Sequence, residues 1–450
     1  MYRSIKKVFL SAFFSFFLTP SFAQFGVAKK LVPPDSVEKK MNEWFTDAKI
    51  GIFIHWGIYA ADGMVPSWPI QDGVSQAKAY MEQAKRFDPK DFDPDKWAGL
   101  FEEAGAKYVV ITAKHHDGVA LWDTRQPHAL SIIRNTPYKK DILSLLFAAL
   151  RRKGIKCGAY FSNPDWNYPD YPRYTKDSLR YDPALQPARW EKFMDYYKAQ
   201  LTELMTRYKP DLLWFDMPEY NANMMQAAAV RKMLLDDNPH LVINSRLADH
   251  GDYNNPEQDL FASRIKDKYW ELALPITEGN WGYRAGMNTA TDPQTLITLF
   301  ARVISQGGNF LFDIGPDGNG EIIPAQTQCL KDIGRWVRKH QEAIYGTREG
   351  IGFEVCGFPT TYSKDSTSLY VFVPHGDRIV NINGININVD ASLVGSGTTL
   401  KAKSGGIPGC YGWFTYEIPA NEEDEYMTVI KLHSRSGKPI SPRTKGGYIE

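Results

Sequence analysis

Residues 50–55 read Ile50-Gly51-Ile52-Phe53-Ile54-His55, a short apolar run that ends in a polar side chain. A run of this length without regular alternation is typical of a parallel strand that is buried on both faces. Similar runs recur at 108–113, 157–162, 212–216, 241–245, 270–276 and 310–314, and amphipathic stretches lie between them at 95–104, 142–153, 190–208 and 227–236. This alternation over about 300 residues predicts an α/β fold, a (β/α)8-like barrel over residues 24–345. One strand is not visible, so we expect an irregular barrel.

The pattern changes in the C-terminal part of the chain. Period-two alternation of polar and apolar residues appears at 368–373 and 379–383, and a Gly-rich break follows at 404–409. Such alternation predicts strands with one buried face, and Gly-rich breaks mark turns. We therefore predict a C-terminal antiparallel β-sandwich domain over residues 346–450.

The first 23 residues have the layout of a secretory signal peptide. Arg3, Lys6 and Lys7 precede an apolar run at 8–18, and small residues then offer a cleavage site near Ala23. The run is shorter than the roughly 20 apolar residues that a membrane span needs, so we expect no stable membrane insertion. We expect an exported protein, either periplasmic or secreted.

Composition and charge narrow the classes of partner. A formal net charge of +1 over 450 residues gives no electrostatic basis for binding nucleic acid. The 12 Trp, 24 Tyr and 24 Phe suit a carbohydrate site, although large cores use the same residues. The four cysteines form no CxxC pair, which argues against a thiolate metal site; they are Cys157, Cys329, Cys356 and Cys410. A disulfide among the last three, and the oligomeric state, stay open.

Polar side chains follow several predicted strands at the point where each strand ends. In chain order they are His55, then Lys114-His115-His116-Asp117, then Tyr160 and Ser162, and finally Asp216. The active site of a barrel of this kind lies at the C-terminal ends of its strands. Polar groups that converge on one opening are costly to bury unless they bind something. We therefore expect a ligand site at this end of the barrel.

Two other interpretations apply to these residues. Adjacent histidines on an extended segment point to opposite sides, and no HxH or HxxxH pair accompanies His115 and His116, so we expect no metal ion and no cofactor. A lone Asp at a strand end is often the N-cap of the next helix. For Asp216, the preceding Trp214 and the lack of a helix start before Ala222 favour a functional role.

Several blocks of the sequence resemble one known family. They are residues 48–57, 105–118, 213–216, 251–257, 280–283 and 307–316, in the family's order. These blocks are similar to the α-L-fucosidases of glycoside hydrolase family 29. The resemblance implies a retaining exo-glycosidase that acts on a fucosylated oligosaccharide or glycoconjugate, with Asp216 as the nucleophile. A retaining enzyme needs a second carboxyl group about 5–5.5 Å away that shuttles a proton.

The resemblance also gives the proton donor and the sugar pocket. Glu257, in Asn255-Pro256-Glu257-Gln258, matches the family's acid/base motif, and Glu271 is its rival because it too falls in a family block. Glu219 and Glu278 are outside candidates. The positions that match fucose-binding residues of the family are His55, His115, His116, Tyr160, Trp214 and Arg246, and Trp281 falls in a further block.

Two departures from the family pattern affect the expected substrate. Where the family carries a Glu-Trp-Tyr segment that contacts the sugar, the nearest equivalent here is Lys78-Ala79-Tyr80, and Trp68 or Asp72 are candidate replacements. Met217 stands where the family usually has Gly after the nucleophile. An altered pocket leaves an α-L-galactosidase as the alternative within the enzyme class. A sugar-binding protein without catalysis is the alternative outside it, and retention of Asp216 with two candidate acids argues against that.

Overall fold

The structure is a computed structural model that describes residues 34–257, 267–277, 279–385, 388–406 and 412–441. The predicted signal peptide, Glu278 and Cys410 lie outside these residues. Within the ranges that are described, no helix is long and apolar enough to cross a membrane.

Helices separate the strands of the barrel. In the described ranges the α-helices are α1 (Pro34–Glu43), α2 (Phe45–Ala48), α3 (Val74–Met81), α4 (Pro94–Glu103), α5 (Ile132–Asn135), α6 (Ile142–Arg152), α7 (Pro187–Glu203), α8 (Ala227–Asp237), α9 (Pro293–Ser305), α10 (Pro324–His340) and α11 (Phe353–Cys356). The four predicted amphipathic stretches are confirmed as α4, α6, α7 and α8, with α7 continued by a π-helical turn at Leu204–Tyr208. In α6, for example, the Asp141 carboxylate caps the first turn, and the buried face includes Leu143 and Leu150.

The barrel strands are parallel. The strands in this part of the chain are β1 (Ile50–Ile54), β2 (Tyr108–Lys114), β3 (Val119–Ala120), β4 (Leu130–Ser131), β5 (Lys156–Ser162), β6 (Arg173–Thr175), β7 (Ser178–Leu179), β8 (Leu212–Asp216), β9 (Val242–Ile243), β10 (Glu271–Pro275) and β11 (Asn309–Ile314). The main sheet runs in the order β10-β11-β1-β2-β5-β8-β9. All seven predicted strands are therefore confirmed, and their carboxyl ends meet at one rim.

Residues 253–257 close the barrel between β9 and β10. This segment forms no regular strand, and three isolated parallel bridges hold it: Asn244 with Tyr253, Asn254 with Trp270, and Glu257 with Ala273. With this segment, eight pieces of chain surround the barrel axis, which confirms the predicted (β/α)8-like barrel. The strand that the sequence did not reveal is this one, because it contains two asparagines and Pro256, which has no N–H to donate to a ladder.

Large aromatic side chains fill the interior of the barrel. Phe53, Tyr108, Tyr160, Trp214 and Tyr253 are all buried in one cluster on the axial side of the sheet. The larger apolar cluster lies on the opposite face, between the sheet and the helices. Both faces of the strands are therefore buried, as the uninterrupted apolar runs predicted.

Antiparallel sheets follow the barrel, as predicted. The strands are β12 (Arg348–Glu349), β13 (Thr360–Tyr362), β14 (Ser368–Pro374), β15 (Ile379–Asn383), β16 (Val389–Leu393), β17 (Thr399–Leu400), β18 (Lys403–Gly406), β19 (Gly412–Glu417) and β20 (Met427–Ser434). One sheet runs β12-β13-β14-β20-β16-β17 and the other β15-β19-β18. A separate apolar cluster includes side chains from both sheets. The indole of Trp336 on α10 donates to the carbonyl of Met427 at 2.8 Å, which joins the larger sheet to the barrel.

Candidate active site

Asp216 ends β8 with its carboxylate at the rim of the barrel. Its Oδ1 accepts hydrogen bonds from Arg246 Nη1 at 2.6 Å and from the backbone N–H of Met217 at 2.7 Å. Its Oδ2 accepts from the hydroxyl of Tyr160 at 2.7 Å, and His116 Nε2 lies 3.7 Å away. The side chain keeps 17% of its accessible surface. The carboxylate is therefore held in one orientation and is still reachable from the opening.

Glu257 lies on the segment that closes the barrel and shares a cation with Asp216. The same nitrogen, Arg246 Nη1, lies 2.6 Å from Asp216 Oδ1 and 2.8 Å from Glu257 Oε1. The two carboxylate oxygens are thus no further apart than the sum of 2.6 and 2.8 Å, which is 5.4 Å. The Glu257 side chain is 30% exposed. The structure brings these two predicted residues together.

The surroundings push the pKa values of the two carboxyl groups in opposite directions. Burial tends to raise the pKa of Asp216, but the positive charge of Arg246 and the hydrogen bonds from Tyr160 and Arg246 together lower it below its usual value. Burial also raises the pKa of Glu257; the nearby Asp216 charge adds to this increase, and Arg246 only partly offsets it. One group is therefore stabilised as a carboxylate and the other as an acid.

Three predicted histidines surround the carboxylates, each with one ring nitrogen engaged away from them. Nδ1 of His55 lies 2.6 Å from Asp313 Oδ1, and Nδ1 of His115 lies 2.6 Å from Ser67 Oγ. Nδ1 of His116 lies 2.7 Å from Ser162 Oγ. Each Nε2 therefore points away from the Nδ1 partner, and Nε2 of His116 points towards Asp216.

Tyr160 and Trp214 form an aromatic column beneath the site. The Tyr160 ring stacks on Trp214 with 5.6 Å between centroids and on His115 with 5.4 Å. The Arg246 guanidinium lies over the Trp214 ring at 4.9 Å. Trp214 is fully buried and its Nε1 donates to Glu271 Oε1 at 2.9 Å. The structure thus places Trp214 below the pocket, in support of Arg246 and Tyr160.

Glu271 and Glu219, the other described acid candidates, lie away from the carboxylate pair. Glu271 is 0% exposed at the start of β10, the opposite end of the barrel from Asp216, and also accepts from Tyr108 OH at 2.5 Å and Tyr253 OH at 3.3 Å. Burial raises its pKa to about 7. Glu219 accepts from the Tyr171 hydroxyl and faces Arg173 at 3.9 Å. Both have structural partners.

Aromatic side chains border the pocket on two sides. Trp281 is half-buried and its ring lies 4.9 Å from His55. Trp68 is 47% exposed and contacts His116 edge-on at 6.0 Å. Lys78 and Ala79, in the segment that departs from the family pattern, are exposed on α3. Asp72, at the end of the preceding 3-10 helix (Trp68–Asp72), is also exposed. Of the two candidate replacements, the structure brings Trp68 to the site.

The backbone directly after the nucleophile candidate adopts a left-handed conformation. Met217 has φ of 58°, and its N–H turns back to Asp216 Oδ1. Left-handed backbone is costly for a residue with a Cβ, which gives a physical reason for the usual Gly at this position.

The sequence did not single out several residues that hold the site together. Asn163, directly after β5, donates through Nδ2 to the carbonyls of Asp216 at 2.7 Å and Arg246 at 2.9 Å. Ser67 and Asp313 each contact a histidine of the pocket. Asn163 and Asp313 lie at strand ends, the signal that found Asp216, whereas Ser67 lies in a loop and gives no such signal.

The described residues contain no group of three or more His, Cys, Asp and Glu side chains arranged to hold a metal ion. The cationic group between the two carboxylates is Arg246.

The chain is similar to curated proteins along most of its length. A family model described as Alpha-L-fucosidase matches residues 29–342. The tissue alpha-L-fucosidase of Rattus norvegicus is 32% identical over 352 residues, which cover 70% of this chain and 72% of that protein. The tissue alpha-L-fucosidase of Homo sapiens is 29% identical over 417 residues, which cover 85% and 84%.

Solved structures show the same architecture. Alpha-L-fucosidase isoenzyme 1 from Paenibacillus thiaminolyticus superposes with a TM-score of 0.78 at 28% identity, covering 89% of this chain and 100% of that one. A GH29 alpha-L-fucosidase from Bacteroides thetaiotaomicron, described as a trapped covalent intermediate in complex with 2-fluoro-fucosyl fluoride, superposes with a TM-score of 0.76 at 27% identity, covering 91% and 98%.

Proposed function

Since the chain belongs to the α-L-fucosidase family of glycoside hydrolases, we propose that it releases terminal α-L-fucose by a retaining double displacement, with Asp216 as nucleophile and Glu257 as acid/base. The substrate class is a fucosylated oligosaccharide or glycoconjugate. The observation that carries the proposal is the single Arg246 nitrogen shared by Asp216 Oδ1 and Glu257 Oε1, which keeps these two oxygens no more than 5.4 Å apart, the sum of 2.6 and 2.8 Å. Retaining enzymes need about 5–5.5 Å, whereas inverting enzymes need about 6.5–9.5 Å to admit a water molecule.

In the first step, an Asp216 carboxylate oxygen attacks the anomeric carbon while the glycosidic bond breaks. Glu257 gives its proton to the departing oxygen, so the leaving group departs as an alcohol. The lowered pKa of Asp216 keeps the nucleophile ionised, and the raised pKa of Glu257 keeps the acid protonated. In the second step, Glu257 accepts a proton from water, which attacks the same carbon and releases Asp216.

The hydrogen bonds around Asp216 support this division of roles. Tyr160 and Arg246 hold the two oxygens in place before the substrate arrives, so little reorganisation is needed at the moment of attack. The Bacteroides thetaiotaomicron relative is described as a trapped covalent intermediate, and a retaining mechanism forms such an intermediate. Glu271 is disfavoured as the acid because it is fully buried with three donors at the other end of the barrel.

Hydrolysis of an aryl α-L-fucoside tests the activity, and proton NMR of the first sugar released tests its stereochemistry. We expect the α anomer first, near-complete loss of activity in Asp216→Ala, and an α-fucosyl azide from Glu257→Ala when azide is added, because azide attacks the β-linked fucosyl-enzyme with a second inversion. Glu271→Ala is the matched control and should give no azide product. Release of the β anomer would overturn the retaining mechanism.

An aryl α-L-galactoside, assayed beside the fucoside, tests the sugar preference. Lys78 and Ala79 are exposed, and Trp68 is the aromatic side chain found beside His116. We expect the fucoside to have the higher kcat/KM, and the reverse order would assign the protein to α-L-galactosides. Export remains a prediction from the N-terminal segment.

A further inference from the structure

The three pocket histidines each have a defined partner at Nδ1, and the partners differ in what they can donate or accept. A neutral imidazole carries one proton, so the hydrogen bond at Nδ1 decides whether Nε2 presents a donor or a lone pair. His115 and His116 are neutral near pH 7: burial lowers the pKa of His115 well below its usual value and that of His116 to about 4. Their tautomers therefore matter for the ligand.

His55 has a carboxylate partner. Asp313 Oδ1, 2.6 Å from Nδ1, can only accept a hydrogen bond when it is ionised. The proton of a neutral His55 is then on Nδ1, and Nε2 carries a lone pair.

His116 has a serine partner whose own proton is already used. The Ser162 hydroxyl donates to the carbonyl of Pro164 at 2.7 Å, and a carbonyl can only accept. Because the Ser162 proton is used in that bond, His116 Nδ1 must be the donor in the 2.7 Å contact with Ser162 Oγ. Asp216 Oδ2 does not compete for the proton, because 3.7 Å is too long for a hydrogen bond. His116 Nε2 thus also carries a lone pair.

His115 has a serine partner with several other contacts. Ser67 Oγ accepts from the backbone N–H of Asp117 at 2.9 Å and lies 2.6 Å from His115 Nδ1. The Ser67 side chain also hydrogen-bonds to the Asp117 carboxylate and to the Tyr80 hydroxyl, so its hydroxyl proton has more than one acceptor. Unlike the partners of His55 and His116, Ser67 therefore does not assign a tautomer to its histidine.

We infer that Asp313 and Ser162 are positioning residues that fix an acceptor code in the pocket: Nε2 of a neutral His55 and Nε2 of His116 accept hydrogen bonds from the ligand. The assignment of this code to sugar hydroxyls rests on the proposed function. Hydroxyls at His55 and His116 must donate. Deoxyfluoro or O-methyl groups, which cannot donate, are then rejected at both positions.

Nitrogen-15 NMR of the histidine rings in the full-length, ligand-free protein tests the code directly. Ring nitrogens with and without a proton have well-separated shifts, and single histidine substitutions assign the signals of the nine histidines. Near pH 7 we expect Nδ1 with a proton and Nε2 without one in both His55 and His116. Any other pattern at these two histidines in the unmodified protein overturns the inference.

Two matched substitutions test what the serines do, since both remove one hydroxyl from a histidine Nδ1. Ser162→Ala leaves His116 without its acceptor, so its proton should move to Nε2 and kcat/KM for an aryl α-L-fucoside should fall about 10- to 100-fold. Ser67→Ala, the matched control, should leave the His116 proton on Nδ1, because Ser67 contacts His115 and not His116. If Ser162→Ala does not move the proton, Ser162 has no positioning role.

The spectra and the activity assay separate the two proposals. The expected tautomers without fucoside hydrolysis would refute the proposed function and leave the code intact. Hydrolysis with different tautomers would refute the code alone.

Discussion

Replacement of Arg246 by Met should shift both limbs of the pH–rate profile to higher pH. Arg246 Nη1 lies 2.6 and 2.8 Å from the two carboxylate oxygens. A unit charge pair about 4 Å apart is worth about 4 kcal/mol at an effective dielectric constant near 20. At about 1.4 kcal/mol per pKa unit, its loss corresponds to about 3 pKa units. Since the Asp216 side chain is 17% exposed, solvent screens part of this energy, and we expect about 1–2 units.

The sign follows from the two carboxyl groups. Arg246 lowers the pKa of both Asp216 and Glu257, so without it both values rise. Asp216 then ionises at higher pH, which shifts the acidic limb of the kcat/KM profile to higher pH. Glu257 also keeps its proton to higher pH, which shifts the basic limb in the same direction. The assay is the initial rate on an aryl α-L-fucoside from about pH 3 to 9.

Arg246→Lys is the matched control, because it keeps the charge and loses the fork that reaches two oxygens. The limbs of the Arg246→Lys pH–rate profile should shift to higher pH by less than those of Arg246→Met, even if the rate of this variant falls. Circular dichroism and Tm measurements check that both variants fold. A rate loss in Arg246→Met with unmoved limbs would refute the electrostatic role and leave only a positioning role.

Three further outcomes are expected. Burial raises the pKa of Glu271 from 4.5 to about 7, so the stabilisation from the protonated Glu271 is present below about pH 4.5 and is lost as the pH rises through 7. The Tm of the unmodified protein should therefore fall over this range, and Glu271→Gln should reduce the fall. An unchanged slope of Tm against pH in this variant would contradict the prediction. Met217→Gly removes about 1–2 kcal/mol of left-handed strain but costs about 0.5–1 kcal/mol more chain entropy on folding, so urea unfolding should show a gain in stability of at most about 1.5 kcal/mol; a loss of stability would contradict this. Trp68→Ala should raise KM for an aryl α-L-fucoside about 3- to 10-fold with little change in kcat, whereas an equal fall in kcat would give Trp68 a role in the transition state.

The regular part of the fold was predictable because burial on both faces leaves a local signature. β8 begins and ends at the residues of its apolar run, and β14 and β15 match their period-two segments within one residue. Residues 253–257 left no such signature, because a segment held by isolated bridges needs neither an apolar run nor β-branched residues. Its place in the barrel is fixed by its neighbours.

The candidate site was predictable where position along a strand carries the information. Asp216 ends its run and faces the opening, whereas Glu271 begins its strand, a difference that the sequence already contained and that favours Glu257 as the acid. The partners of the histidines were not predictable. Ser67 meets His115 and Asp313 meets His55 across 48 and 258 positions of chain, and no local pattern encodes these contacts.

The two carboxylates lie on parts of the barrel that differ strongly in their strand pairing. Asp216 ends a strand that is paired on both sides, while Glu257 lies on a seam with three bridges. The proposed nucleophile thus lies on a regularly paired strand, whereas the proposed acid/base lies on the irregular segment that closes the barrel. For protein engineering, residues 253–257 are the place to change the surroundings of the leaving group, because the pairing of β8 with β5 and β9 does not involve them.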